Sequence, residues 1–219
     1  MVKKLYFIFI ILAGVVVLGA CASSRTYLLN LRYDSAQTPR LVKETSPPIK
    51  LALYNFQDVR PDRLYLGRRV YRDGLVDFFK PDEGTVEQVV TKLVANMMTK
   101  AGFQVTLVNR YLNPEKEDFQ HIPGDVALGG KIENLWIEAK TGIATTNTEV
   151  KIRLHANWGI VFDRTWLSKN IEGSALETDR PLFQPRHAEA KINEVLKDAL
   201  DKLLKDETRL QEKLEKLKK

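Results

Sequence analysis

The chain has 219 residues, with 34 Lys and Arg against 28 Asp and Glu, a formal net charge of +6 and one cysteine. So even a balance excludes a dedicated nucleic-acid binder, which needs a concentrated basic face. A lone cysteine excludes a disulfide within the chain, so stability must come from packing, for which 44% hydrophobic residues suffice.

Lys3 and Lys4 precede an apolar run from Leu5 to Val17, the charge-then-apolar layout of an export signal. As a helix, Leu5 to Ala20 would span about 24 Å, short of the roughly 30 Å hydrocarbon core that a permanent span must cross. Gly19 and Ala20 supply the small side chains a peptidase needs, and Cys21 follows them directly. The segment Leu18-Gly19-Ala20-Cys21 resembles the lipobox of bacterial lipoproteins. That resemblance implies diacylglyceryl transfer to the Cys21 sulfur, cleavage ahead of it and acylation of the new amino terminus. Burial of acyl chains at about 0.8 kcal/mol per methylene makes two or more chains a stable anchor. The alternative is an ordinary signal peptide or uncleaved anchor followed by chance by a cysteine. In lipoproteins of two-membrane bacteria an Asp after the cysteine commonly causes inner-membrane retention, whereas Ala22 and Ser23 follow here. By that analogy the expected location is the periplasmic face of the outer membrane, with the inner membrane as the alternative.

Residues 1–20 are thus expected to be a cleaved signal peptide and 21–48, rich in Ser and Pro, a lipidated flexible tether. Tyr27, Leu29, Leu31 and Tyr33 alternate with more polar neighbours. This favours an edge strand over a segment that binds something extended. An α+β periplasmic domain is expected over 49–206 and a charged helical tail over 207–219.

Ile49 to Phe56 (IKLALYNF) is apolar on both faces and reads as a central, buried strand. Residues 57–83 carry Arg60, Arg63, Arg68, Arg69 and Arg72 among aromatic and aliphatic residues, punctuated by Gly67 and Gly74, which reads as a hairpin or two short arms. Thr85 with Gln88 three residues on forms a capping-box signature ahead of Val86, Val90, Leu93, Val94, Met97 and Met98, and Gly102 is placed to end that helix. A strand over 103–108 and a surface loop over 111–124 follow. Val126, Leu128 and Ile132 hold one phase and Leu135 and Ile137 the other, so a bulge is expected near Glu133 and Asn134. Residues 148–162 alternate over their whole length as an antiparallel strand with one wet face, joined by a tight turn at Asp163-Arg164 to a further strand over 165–175. From about Pro185 the chain reads as helix to its end. Its apolar stripe runs to Leu204, beyond which Leu210, Leu214 and Leu217 form a seam too sparse for a core face. The expected architecture is a mixed, mostly antiparallel sheet of about four to five strands packed against two helices.

No catalytic or metal-binding pattern emerges. His121, His155 and His187 fall in three different elements, and H-E-x-x-H, G-x-S-x-G and P-loop motifs are absent. Gly129-Gly130 lies inside a strand, where close backbone approach or a bulge is its expected use. Cofactors are therefore not expected, and the chain reads as no enzyme. Asp58 and Arg60, two residues apart where the chain leaves the sheet, form either a loop-fixing ion pair or a polar ligand site. Arg68, Arg69 and Arg72 beside Tyr and Phe are candidate contacts for an anionic lipid or an envelope protein, because guanidinium forks match phosphate and carboxylate geometry. They could equally bury their stems and face water.

Lipobox, polar tether, Phe56-Gln57-Asp58-Val59-Arg60-Pro61, Leu66-Gly67, a helix ending in Ala101-Gly102-Phe103, long amphipathic strands and a C-terminal helix together resemble the YajG family of uncharacterised bacterial lipoproteins. The resemblance runs to about Leu204, the tail beyond Asp206 departs from it, and it implies an α+β periplasmic domain without an established activity. The expected function is a non-enzymatic, membrane-anchored envelope lipoprotein with a binding or scaffolding role. The alternative is an auxiliary lipoprotein subunit of a lipid or lipoprotein transport system. Neither reading fixes an oligomeric state.

Overall fold

A computed structural model describes residues 24–33, 48–205 and 208–216. The expected signal peptide, Cys21 and residues 34–47 of the expected tether lie outside the described residues. The frame is an antiparallel ribbon of three long strands: β6 (Val126–Thr141), β7 (Thr146–Ile160) and β8 (Thr165–Arg180), with β7 in the middle. β7 forms because every second residue from Val150 to Ile160 is apolar and buried, while Glu149, Lys151 and Arg153 face water.

The other edge of β6 is shared by two parallel partners placed end to end. Val126–Ile132 pairs with β2 (Lys50–Asp58), and Ile137–Lys140 pairs with β3 (Gly67–Val70). Between these two pairings the β6–β7 register slips at Ile132/Asn134, the bulge expected from the change of hydrophobic phase. Outside β2 lies β5 (Gln104–Tyr111), also parallel, so β2 is central and its apolar faces are both covered. Outside β3 lies β4 (Val76–Pro81), antiparallel, and then β1 (Thr26–Leu29), parallel to β4 at the sheet edge.

Two helices cover one face. α1 (Val86–Lys100) starts at Thr85 with the full capping box to Gln88 and ends before Gly102, whose φ of 101° a residue with a Cβ adopts only with strain. α2 (Pro185–Leu204) begins with proline in its first turn, where the missing N–H costs no helical bond. Val90, Val94 and Met97 of α1 and Ile192, Leu196 and Leu200 of α2 join Leu51, Leu53, Leu128, Leu154 and Trp158 in one core. On the opposite face only a small cluster around Ala52, Tyr54, Ile122 and Ala127 is covered, by the 112–122 segment.

Two expectations are corrected. Among the described residues the sheet has eight strands, not four to five, with three α-helices rather than two, and it is not mostly antiparallel: β3–β4, β6–β7 and β7–β8 are antiparallel, whereas β1–β4, β2–β5, β2–β6 and β3–β6 are parallel. The strands beyond that count are β1, the edge strand favoured for the 27–33 segment, and β3 and β4, which form the hairpin read in 57–83; at four to six residues each they were not counted as members of the sheet. Helix is also not continuous to the chain end. It stops at Lys205, which is extended (φ −88°, ψ 160°), and α3 (Thr208–Lys216) begins anew. Leu210 and Leu214, read as a seam unfit for a core, are buried in the main core, and Lys213 pairs with Asp163 at the β7–β8 turn. Two leucines four residues apart suffice because the helix is short and lies against an end of the sheet. Leu214→Ala should therefore lower stability by about 2–4 kcal/mol in urea denaturation. A loss under about 0.5 kcal/mol, the level of a surface substitution, would mean that α3 does not pack.

Candidate functional site

Asp58 is the last residue of β2, and Arg60 turns back on it. The guanidinium Nε donates to Oδ1 at 2.9 Å and Nη2 to Oδ2 at 2.9 Å, while the Arg60 backbone N–H donates to Oδ1 at 3.1 Å. Nη1 donates to the carbonyls of Tyr65 (2.9 Å) and Leu135 (2.8 Å). Asp58 is 7% and Arg60 3% exposed. This bidentate, buried pair ties the end of β2, the 59–66 loop and β6 beyond its bulge into one unit.

The neighbouring arginines go elsewhere, because successive residues of a strand face opposite sides of the sheet. Arg69 faces the helices, its guanidinium 4.2 Å from the Tyr71 ring centre and 4.3 Å from that of Phe183. Its Nε donates to Thr141 Oγ1 (2.8 Å) and its Nη1 to the Tyr71 hydroxyl (2.8 Å). That hydroxyl donates to Asp77 Oδ2 (2.6 Å), and the Arg25 backbone N–H donates to Asp77 Oδ1 (2.9 Å). Burial, then the Asp77 bond, pushes the Tyr71 hydroxyl up to about 12. Arg68 faces the open side, 3.6 Å from Glu138, near the stacked pair Tyr65–Phe78 (4.2 Å) over which Lys80 sits. Arg72 is exposed at the β3–β4 turn. The five candidate contact residues thus form a clamp, an aromatic sandwich, an open-face pair and a turn, and they do not converge on one point.

Gly130 serves close approach, as expected: a Cβ there would lie 2.1 Å from the His155 carbonyl oxygen. His155 Nδ1 shares a hydrogen bond with Asn170 Oδ1 (2.6 Å) across the β7–β8 pair, and His121 Nδ1 lies 3.1 Å from Asp118. Among the described residues no group of three or more His, Cys, Asp or Glu could hold a metal ion. No helix among them is long and apolar enough to cross a membrane.

One polar cluster escaped the sequence reading. The Tyr54 hydroxyl donates to Glu117 Oε1 (2.9 Å), Arg110 pairs with both Glu117 oxygens, and its guanidinium lies 4.9 Å from the Tyr54 ring centre. Arg110 holds the Glu117 carboxyl below its usual range, while burial, then the Glu117 bond, pushes the Tyr54 hydroxyl up to about 12. The available signal was a tyrosine on a largely apolar strand and an acid-rich loop. Because the folded state holds this proton more tightly than the unfolded chain, the stabilisation is complete below pH 10 and is lost as pH rises toward 12. Wild type should therefore exceed Tyr54→Phe in melting temperature at pH 9, and the gap should narrow through this range. A gap that stays constant would show that the hydroxyl proton is not involved.

Two shallow cavities accompany these groups. One of about 440 Å³ lies between Asn30 and Leu31 and the start of α1, lined there by Gln88 and Lys92. Another of about 380 Å³ lies between Tyr71, Arg72 and Asp73 on one side and Thr141 and Gly142 on the other.

No family model matches this sequence, and no curated protein does. Several solved structures are similar in chain course. Protein XCC0632 from Xanthomonas campestris, of the family DUF330, is 13% identical, with 88% of this chain and 99% of that one covered and a TM-score of 0.48. A putative neuraminyllactose-binding hemagglutinin homolog from Helicobacter pylori is 8% identical over 86% and 100% of the two chains, with a TM-score of 0.47. Lipoprotein GNA1162 from Neisseria meningitidis is 14% identical over 68% and 98%, with a TM-score of 0.35. At such identities and scores the similarity carries nothing about activity, ligand or assembly.

Proposed function

We propose that this chain is a bacterial envelope lipoprotein, held in the membrane by acyl chains on Cys21, that acts by binding rather than by catalysis from the periplasmic face of the outer membrane. The observation that carries this reading is Cys21 itself, placed after Leu18-Gly19-Ala20 and behind an apolar run too short for a permanent span. The likeness to YajG lipoproteins in Phe56–Pro61 and Ala101–Phe103 belongs to the same proposal. A binding role is supported by how the polar groups are used. Asp58 and Arg60 are engaged with each other, as are Tyr54 and Glu117, and Arg69 and Asp77 are joined through the Tyr71 hydroxyl, as parts that shape a surface. What the sheet offers outward is its uncovered face, where Arg68, Tyr65 and Lys80 present charge and aromatic area together.

Cys21→Ser should abolish incorporation of labelled palmitate and leave a precursor that retains residues 1–20. Sedimentation of wild-type membranes should place the mature protein with outer-membrane markers. Normal processing of the Cys21→Ser variant would overturn the lipoprotein reading, and cosedimentation of wild type with inner-membrane markers would overturn the location.

A further inference from the structure

Lipidation of Cys21 fixes more than attachment. β1 starts at Thr26, five residues after Cys21, and a chain reaches at most about 3.5 Å per residue. The acyl chains therefore lie within about 17 Å of the first paired residue of the sheet. The chain there is already held: the Ser24 hydroxyl donates to the Val76 carbonyl, and Phe78 N–H donates to the Arg25 carbonyl at 2.8 Å. Thr26 is opposite Phe78, so β1 starts beside the β3–β4 turn. β3 runs parallel to β6 with Val70 opposite Lys140, which brings the β6–β7 turn to the same end, and the 380 Å³ groove separates the two turns. Phe183, stacked on Arg69, brings the 181–184 link there as well.

That end carries the side chains a bilayer surface would take. Ile143 is 85% exposed at the tip of the β6–β7 turn, Leu182 is 71% exposed and Leu75 is 38% exposed. Arg25, Arg72 and Lys140 are exposed around them. Asp73 is an acid in the same turn, and its carboxylate accepts the Leu75 N–H at 3.1 Å. Aliphatic tips ringed by guanidinium and ammonium groups match the headgroup boundary, where apolar side chains enter and cations meet phosphate. The opposite end, at the β7–β8 turn, lies a 15-residue strand away, about 50 Å.

We infer that this end of the sheet docks on the phospholipid leaflet that holds the acyl chains, so that the domain stands end-on with the β3–β4 and β6–β7 turns in the headgroups and the β7–β8 turn farthest from the membrane. The inference rests on lipidation of Cys21. The arguments are the short reach from that residue, the exposed aliphatic tips and the basic ring. A second copy of the chain or a protein partner seated on these turns is the rival occupant.

Because lipid consumes the natural thiol, a cysteine introduced into the full chain can be labelled alone. Ile143→Cys and Phe162→Cys, both at exposed positions, should each be matured in cells, labelled with bimane and reconstituted in vesicles of phosphatidylethanolamine and phosphatidylglycerol that contain nitroxide lipid. Bimane at 143 should be quenched several-fold more than at 162, and adding Arg72→Glu should reduce that quenching. Equal quenching at the two sites in protein that still floats with the vesicles would overturn the docking and leave the anchor standing. Loss of flotation and of palmitate label would overturn the anchor, and the docking geometry with it.

Discussion

Arg60→Ala should destabilise the fold by about 3–5 kcal/mol, seen as a large drop in the urea midpoint with little change in slope. The substitution leaves the Asp58 carboxylate buried with only a backbone N–H nearby, and strips the Tyr65 and Leu135 carbonyls of their donor. A buried charge without its partner costs more than the pair contributes, so the double variant Asp58→Ala/Arg60→Ala should be more stable than Arg60→Ala alone. Arg60→Lys should not restore stability, because one ammonium cannot reproduce a fork that spans two carboxylate oxygens and two carbonyls. A single-variant loss below about 0.5 kcal/mol, within the range of ordinary surface substitutions, would sink the clamp.

Gly67→Ala should be as damaging, about 3–5 kcal/mol, by a different route. Gly67 has φ 152°, and a Cβ there would lie 1.8 Å from the Ile137 carbonyl oxygen, so β3 could not stay paired with β6. Since β4 and then β1 hang from β3, the loss should spread to that whole edge, visible as faster amide exchange across residues 67–81. Gly74→Ala is the matched control. Its φ is +87° but nothing lies within 4 Å of the Cβ position, so only the backbone term remains, about 1–2 kcal/mol. Equal losses at the two glycines would show that close approach at Gly67 does not matter.

How much of this was legible depended on whether the deciding contacts were local. β2 was readable because apolar residues on both faces leave no other place for a strand. α1 was readable from Thr85 and Gln88, and the β6 bulge from the change of phase between Ile132 and Leu135. The partners of β6 were not: that one edge holds β2 and then β3, both parallel, follows from the bulge and the length of β6 together, and no residue of β3 announces it. α3 was misjudged because burial of Leu210 and Leu214 depends on the sheet end they meet rather than on their spacing. Asp58 with Arg60 was visible because the partners are two residues apart. Arg69 with Phe183, and Tyr54 with Arg110 and Glu117, were invisible because each group joins elements far apart in the chain.

The stretch after β1 is secured from the far end of the sequence. Asn30 N–H donates to Glu189 Oε2 and Arg32 N–H to Asn193 Oδ1, both at 2.9 Å, and the Tyr33 hydroxyl donates to Asp201 Oδ1 at 2.7 Å. In a chain made N-terminus first, those acceptors appear late. Thr26–Leu29 can pair with β4 early, but residues 30–33 cannot complete their bonds until almost the whole domain has been made. Synthesis order thus makes the oldest strand of the sheet the last to be fully secured, and completing α2 is the step that secures it.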